Sequence, residues 1–108
     1  MIYCDYEVEA MNIYTIDEIK RIVKPIAESY GIQEIYLFGS YAKGTATEES
    51  DLDFLVFGGE GFKLSMVYAL GEDLREAFHK EIDIFEIHEV NVDSDFYREV
   101  LQERKLVA

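Results

Sequence analysis

A small α/β domain, a mixed sheet of three main strands flanked by helices, is the fold class the sequence predicts. Three observations lead there. Residues 16–30 and 64–78 carry apolar side chains at helical spacing. Ile32 to Phe38, Leu52 to Phe57 and Glu81 to Ile87 are short runs rich in β-branched and aromatic residues, the pattern of buried strands. Glycine-bearing turns separate these segments, with Gly39-Ser40 closing the first strand and Gly58-Gly59-Glu60-Gly61 the second.

Each element has a local cause. Residues 1–14 alternate loosely, with Ile2, Cys4, Tyr6 and Val8 on one side, and read as an added edge strand or an ordered extension. Thr15-Ile16-Asp17-Glu18 has the form of a capping box, which starts the first helix. Ile19, Ile22, Val23 and Ile26 continue that helix and Gly31 stops it, while Pro25 is expected to kink or divide it. After Gly39, residues 40–46 leave room for at most two turns of helix, which Gly44 lets the chain leave. Leu64, Val67, Leu70, Leu74 and Phe78 mark a long helix in which Gly71 is a soft spot of about 1 kcal/mol relative to alanine. From Asp93, capped by that residue or by Ser94, the positions Phe96, Val100, Leu101 and Leu106 predict a last amphipathic helix. Its apolar stripe, rimmed by Asp95, Glu99 and Glu103, is a candidate docking face.

Bulk composition narrows the function classes. At 108 residues the chain has room for one modest core, and a hydrophobic fraction of 49% argues for an ordered globule. A net charge of −13, spread along the chain, repels DNA and RNA backbones and favours a basic protein partner. Direct binding of a long nucleic acid is therefore not expected. Cys4 is alone, so neither an internal disulfide nor a cysteine-based zinc site is expected. The acidic start lacks signal-peptide character and no apolar run has the length of a membrane span, so the expected location is cytoplasmic, with no membrane contact.

The chemistry-bearing residues are Asp51, Asp53 and Asp83. Alternation along a strand puts Asp51 and Asp53 on one face, roughly 6–7 Å apart, while Leu52 and Phe54 enter the core. Two such charges repel by roughly 2–3 kcal/mol at an effective dielectric near 20, so the pair calls for a cation or a proton. Asp83 interrupts Ile82-Asp83-Ile84-Phe85, which suggests a central strand whose aspartate faces something polar. Beside the Leu52 to Phe57 strand with matching alternation, it would join the same cluster. Taken singly, Asp51-Leu52-Asp53 could be a solvated turn and Asp83 a guard on an edge strand. Gly39 allows close approach of a phosphate, and Ser40 opens a helix whose free N–H groups attract anions.

Gly39-Ser40-Tyr41-Ala42-Lys43-Gly44, then Ser50-Asp51-Leu52-Asp53, then Asp83, resemble the signature of the polymerase-beta-type nucleotidyltransferase superfamily. Size and segment order resemble its minimal (MNT) branch from about Tyr14 onward. The resemblance implies the polymerase-beta-like nucleotidyltransferase fold, with residues 1–10 as an N-terminal extension and 11–108 as the minimal domain. Met11 is an alternative start. It further implies ATP as substrate, held by Gly39 and Ser40, and two magnesium ions on Asp51, Asp53 and Asp83, which form the catalytic triad of carboxylates. Many relatives have arginine where Lys43 stands, and Lys43 carries no assigned role.

Stand-alone members of this branch resemble antitoxins paired with HEPN-type ribonuclease toxins. The implied activity is transfer of AMP from ATP to a tyrosine of the toxin, and the acidic surface suits a basic toxin. A homo-oligomer is a further option. Two alternatives stay open: nucleotidyl transfer to a small molecule, and a non-catalytic module that neutralises its partner by contact. His79 and His88 lack further metal ligands nearby in sequence, and His79 is read as complementing a helix dipole. Tyr41 is read as a packing residue, and Glu48 and Glu49 as a solvated loop.

Overall fold

The structure, a computed structural model, describes residues 13–108. The expected N-terminal strand or extension lies outside them. The described chain runs α1 (Ile16–Tyr30), β1 (Glu34–Phe38), α2 (Ser40–Lys43), β2 (Leu52–Phe57), α3 (Leu64–Phe78), β3 (Ile82–Glu86), a 3₁₀ turn (Ile87–Glu89), α4 (Asp95–Glu103) and β4 (Lys105–Leu106). The sheet order is β3-β2-β1-β4. β1 pairs antiparallel with both β2 and β4, whereas β2 and β3 are parallel, so the sheet is mixed as expected. A parallel pair needs a crossover, and α3 supplies it.

α1 starts as the sequence predicts. Glu18 N–H donates to Thr15 Oγ1 at 3.1 Å and Thr15 N–H donates to Glu18 Oε1 at 2.8 Å, satisfying two first-turn donors. Gly31, at φ 66°, ends the helix in the left-handed region. Pro25 does not divide the helix: α1 runs unbroken through it. The proline sits on an exposed position, where the carbonyl it leaves unbonded can face water.

The two faces of the sheet are buried differently. Leu37, Leu52, Phe54 and Val56 pack with Ile19, Val23, Leu70, Leu74 and Phe78 of α1 and α3. Each such side chain contributes roughly 1.5–3 kcal/mol of burial, which makes this face the main core. On the other face Phe38 and Leu55 meet Val100 of α4 in a smaller cluster. Gly71 is buried where α3 crosses β3, and a Cβ there would stand 3.6 Å from Ile84 Cδ1 and 3.2 Å from Arg75 Nη1. The soft spot is thus a point of close helix–sheet approach.

Two sequence expectations change. β3 is an edge strand rather than a central one, with no partner on its outer side among the described residues. Its apolar run is hidden instead by α3 on one face, and the fourth strand was added at the opposite edge. The last helix ends at Glu103, so Leu106 is not on it. Arg104 turns extended, its guanidinium carbon sits 4.3 Å from the centre of the Tyr36 ring, and residues 105–106 take up the free backbone of β1. Of the expected stripe, Val100 is buried, whereas Phe96 and Leu101 on the helix stay exposed.

Candidate active site

The open end of the α4-side face gathers the sequence-predicted residues. Asp53 is the second residue of β2, and parallel pairing places it directly beside Asp83 of β3. On its other side antiparallel pairing places Phe38, the residue before Gly39. Asp51 lies one residue ahead of β2 and is exposed, as is Asp83, while Asp53 is half-buried. The closest carboxylate contact therefore runs across the strands, Asp53 to Asp83, through a side-chain hydrogen bond. In-register neighbours on adjacent strands stand about 4.8 Å apart, closer than alternate residues along one strand.

Burial, the hydrogen bond its protonated carboxyl donates to Asp83, the Asp83 charge and that of Asp51 push Asp53 up to about 7. Crowding of this kind favours the protonated form of Asp53.

Gly39 explains how a carboxylate fits there. Its backbone, at φ 76° and ψ −156°, occupies a region essentially reserved for glycine. A Cβ at this position would collide with Asp53 Oδ2. The β1–α2 turn thus presses against the carboxylate pair, and Ser40 opens the single turn of α2 immediately after it. Gly44, at φ 81°, ends that turn, with its N–H donating to Ser40 O.

Neighbouring residues hold this arrangement. Thr47 N–H donates to Ser50 Oγ at 2.8 Å, and Ser50 N–H returns to Thr47 O at 3.0 Å, closing the loop that delivers Asp51. Lys80 Nζ donates to Glu48 O at 2.7 Å, tying the same loop to the start of β3. Lys43 is exposed, with its Nζ 3.4 Å from Glu103 Oε2 on α4. Tyr41 is buried in the main core, as a packing residue would be. His79 caps α3 in a left-handed conformation, and His88 Nδ1 sits 3.0 Å from the buried carboxylate of Glu86.

Sequence reasoning missed Phe38 and Phe85 as site neighbours, and named Phe96 only as part of a docking stripe; the three rings gather beside the carboxylates. Strand alternation offered a signal, since Phe85 follows Asp83 by two residues and shares its face. A cavity of about 400 Å³, lined by Lys20, Arg21, Lys24, Leu106, Val107 and Ala108, is elsewhere. It lies by β4, at the sheet edge opposite Asp83, and plays no part in this site. Among the described residues no three histidine, cysteine or acidic side chains are gathered as a ready metal cage.

Comparison with known proteins agrees with this geometry. A protein adenylyltransferase, MntA, from Thermococcus cleftensis is 33% identical over 97 residues, covering 86% of this chain and 96% of the relative. A solved structure provisionally described as a minimal nucleotidyltransferase superposes with TM-score 0.72 at 26% identity, covering 85% of this chain and 95% of that one. An MNT antitoxin in complex with a tri-AMPylated Shewanella oneidensis HEPN toxin has the same fold, with TM-score 0.66 at 18% identity over 87% of this chain and 72% of that one. Residues 20–108 match the family described as polymerase beta, nucleotidyltransferase. The match takes in the glycine turn, all three aspartates and every strand of the sheet, and the protein belongs to the polymerase beta nucleotidyltransferase family.

Proposed function

We propose that this protein is a magnesium-dependent adenylyltransferase that transfers AMP from ATP to a tyrosine hydroxyl of a HEPN-type toxin, and so acts as its antitoxin. The observation that carries this reading is the Asp53–Asp83 carboxyl contact pressed against Gly39. The names of the relatives add the class of donor and acceptor: one is a protein adenylyltransferase, and another is an MNT antitoxin bound to an AMPylated HEPN toxin.

The donor set suits magnesium. The ion takes hard oxygen ligands and commonly uses one or two carboxylates together with substrate phosphates, so a complete protein cage is not required. Asp51, Asp53 and Asp83 would hold it, and their mutual repulsion is the physical reason they would take up a cation. When bound, magnesium screens the triphosphate and makes the α-phosphorus more open to attack.

The chain's own residues do the rest. At Gly39 the missing Cβ lets the backbone come close to the phosphates, and the first N–H groups of α2 and the Ser40 hydroxyl donate to their oxygens. Asp83, exposed on the edge strand, can receive the proton of the incoming hydroxyl. The hydroxyl oxygen bonds to the α-phosphorus, the bond from that phosphorus to the β-phosphate oxygen breaks, and pyrophosphate leaves. Lys43, exposed and paired with Glu103, takes no assigned part in the reaction.

The test is intact-mass analysis of a HEPN-type protein encoded beside this gene, incubated with this protein and ATP–Mg²⁺. The expected result is a gain of one or more AMP units of about 329 Da each, as required by attack at the α-phosphorus. Asp51→Ala and Asp53→Ala should each abolish the gain while the chain stays folded. A toxin silenced equally by wild type and both variants, with no added mass, would replace this reading with inhibition by contact.

A further inference from the structure

The proposed reaction leaves one feature beside the carboxylates unused. Phe85 of β3 and Phe96 of α4 have ring centres 5.5 Å apart, and Phe38 stands 5.9 Å from the first and 5.7 Å from the second. Phe38 is buried and forms the floor. Phe85 and Phe96 remain 36% and 42% exposed, although rings of this kind give their largest return when covered. Strand alternation places Phe85 on the face of Asp83, two residues along. The two Cα atoms stand roughly 6–7 Å apart, so a group packed on Phe85 borders Asp83.

The rim of this surface is mainly acidic: Asp83 stands on its strand side and Glu99 follows Phe96 by one helical turn on α4, while Asp95 is paired with Arg98 at 2.7 Å. A ligand here must offer an apolar ring, a hydroxyl and basic flanks. An aliphatic serine or threonine hydroxyl offers no ring to cover the two phenylalanines.

We propose that Phe85 and Phe96 are the acceptor-positioning residues of this enzyme, seating the phenol ring of a tyrosine held in a lysine- or arginine-rich segment of the partner protein. The inference rests on the nucleotidyltransfer reading for its chemistry. In it the phenolic oxygen bonds to the α-phosphorus of ATP, the α–β phosphoanhydride bond breaks with its electron pair going to pyrophosphate, and the phenolic proton passes to the carboxylates. The platform selects which hydroxyl is presented, while Gly39, Ser40 and the aspartates deal with the nucleotide.

Binding and transfer are measured separately, so failure of the platform can be told from failure of the reaction. The probes are a Lys-Lys-Tyr-Lys-Lys peptide and its serine counterpart, added to the whole protein with Mg²⁺ and a non-hydrolysable ATP analogue. NMR of the phenylalanine ring protons should show saturable shifts at Phe85 and Phe96 with the tyrosine peptide, and at least tenfold weaker binding of the serine peptide. Phe85→Ala and Phe96→Ala should each weaken the tyrosine peptide about tenfold, while the ATP analogue binds as before; Phe85→Tyr should restore most of the loss. With ATP in place of the analogue, these variants should raise KM for the tyrosine peptide and leave kcat and KM for ATP near wild type. Equal binding of the two peptides overturns the proposal. So do ring shifts that follow protein concentration rather than peptide, since a second copy would then cover the rings. Peptide seated on Phe85 and Phe96 without any AMP transfer upholds the platform and removes the nucleotidyltransfer reading instead.

Discussion

Gly39 shows how far one missing methyl group shapes the candidate site. Alanine there meets a backbone at φ 76° and ψ −156° and the Asp53 carboxylate together. Gly39→Ala should therefore lower stability by about 1–3 kcal/mol. It should also remove the rise in melting temperature that ATP–Mg²⁺ gives the wild type; an undiminished ligand-induced rise in the variant would show that the turn is not part of the nucleotide site. Asp53 carries a second, pH-dependent expectation. Its carboxyl is pushed up from 3.8 to about 7, so across that window the folded chain holds a proton the unfolded chain has released. Stability contributed by this group is complete below 3.8 and is lost as pH rises through about 7. In EDTA, wild type should thus lose melting temperature relative to Asp53→Asn between those limits and gain nothing relative to it above them. A difference that runs the other way would mean that Asp53 is not crowded by its neighbours. All three aspartates were legible as candidates, from the Asp51-Leu52-Asp53 spacing and from the break Asp83 makes in an apolar run. Their order of contact was not, since Asp53 meets Asp83 through strand pairing that no local pattern encodes.

At the level of elements, local chemistry settled most boundaries. The capping box of α1 and the span of β2 stand where the residues place them, and the long helix occupies Leu64–Phe78. Pro25 is the exception. Helix propensity alone argues for a break, yet Ile19, Val23 and Ala27 bury one face of α1 on both sides of the proline and hold it helical. The proline should still carry a penalty. Pro25→Ala is expected to raise stability by at least about 1 kcal/mol, a gain of roughly 4 °C in melting temperature for a domain of this size. A fall in a thermal melt would show that the ring contributes packing that outweighs the lost hydrogen bond. β4 was not legible, because two residues carry no period; only the open edge of β1 turns Lys105 and Leu106 into a strand.

Over the whole molecule, charge dominates. Twenty-three acidic against ten basic residues leave −13, and few of the acids have ion-pair partners among the described residues. Such a chain repels itself, so raising NaCl from about 0.05 to 0.5 M should increase its melting temperature as screening shortens the range of repulsion. The same screening should slow association with a basic partner, whose encounter depends on attraction across water. Opposite signs for the two effects, read by melting and by stopped-flow association, are the expected outcome. Parallel behaviour would remove electrostatic steering as the basis of partner choice. No helix among the described residues is long and apolar enough to cross a membrane.

The sequence by itself determined the α/β class, the element boundaries within a few residues, and the identity of the glycine turn and carboxylates. These follow from local physics: side-chain period, capping groups and the conformational freedom of Gly39 act within a few residues of chain. Tertiary structure alone decided that β3 lies at the edge, that β4 exists, and that Phe38, Phe85 and Phe96 converge beside Asp83. Those features depend on which strands pair and in what register. The contacts that follow join residues as far apart as 38 and 96, and their free energy comes from burying surfaces that only the assembled sheet and helices create.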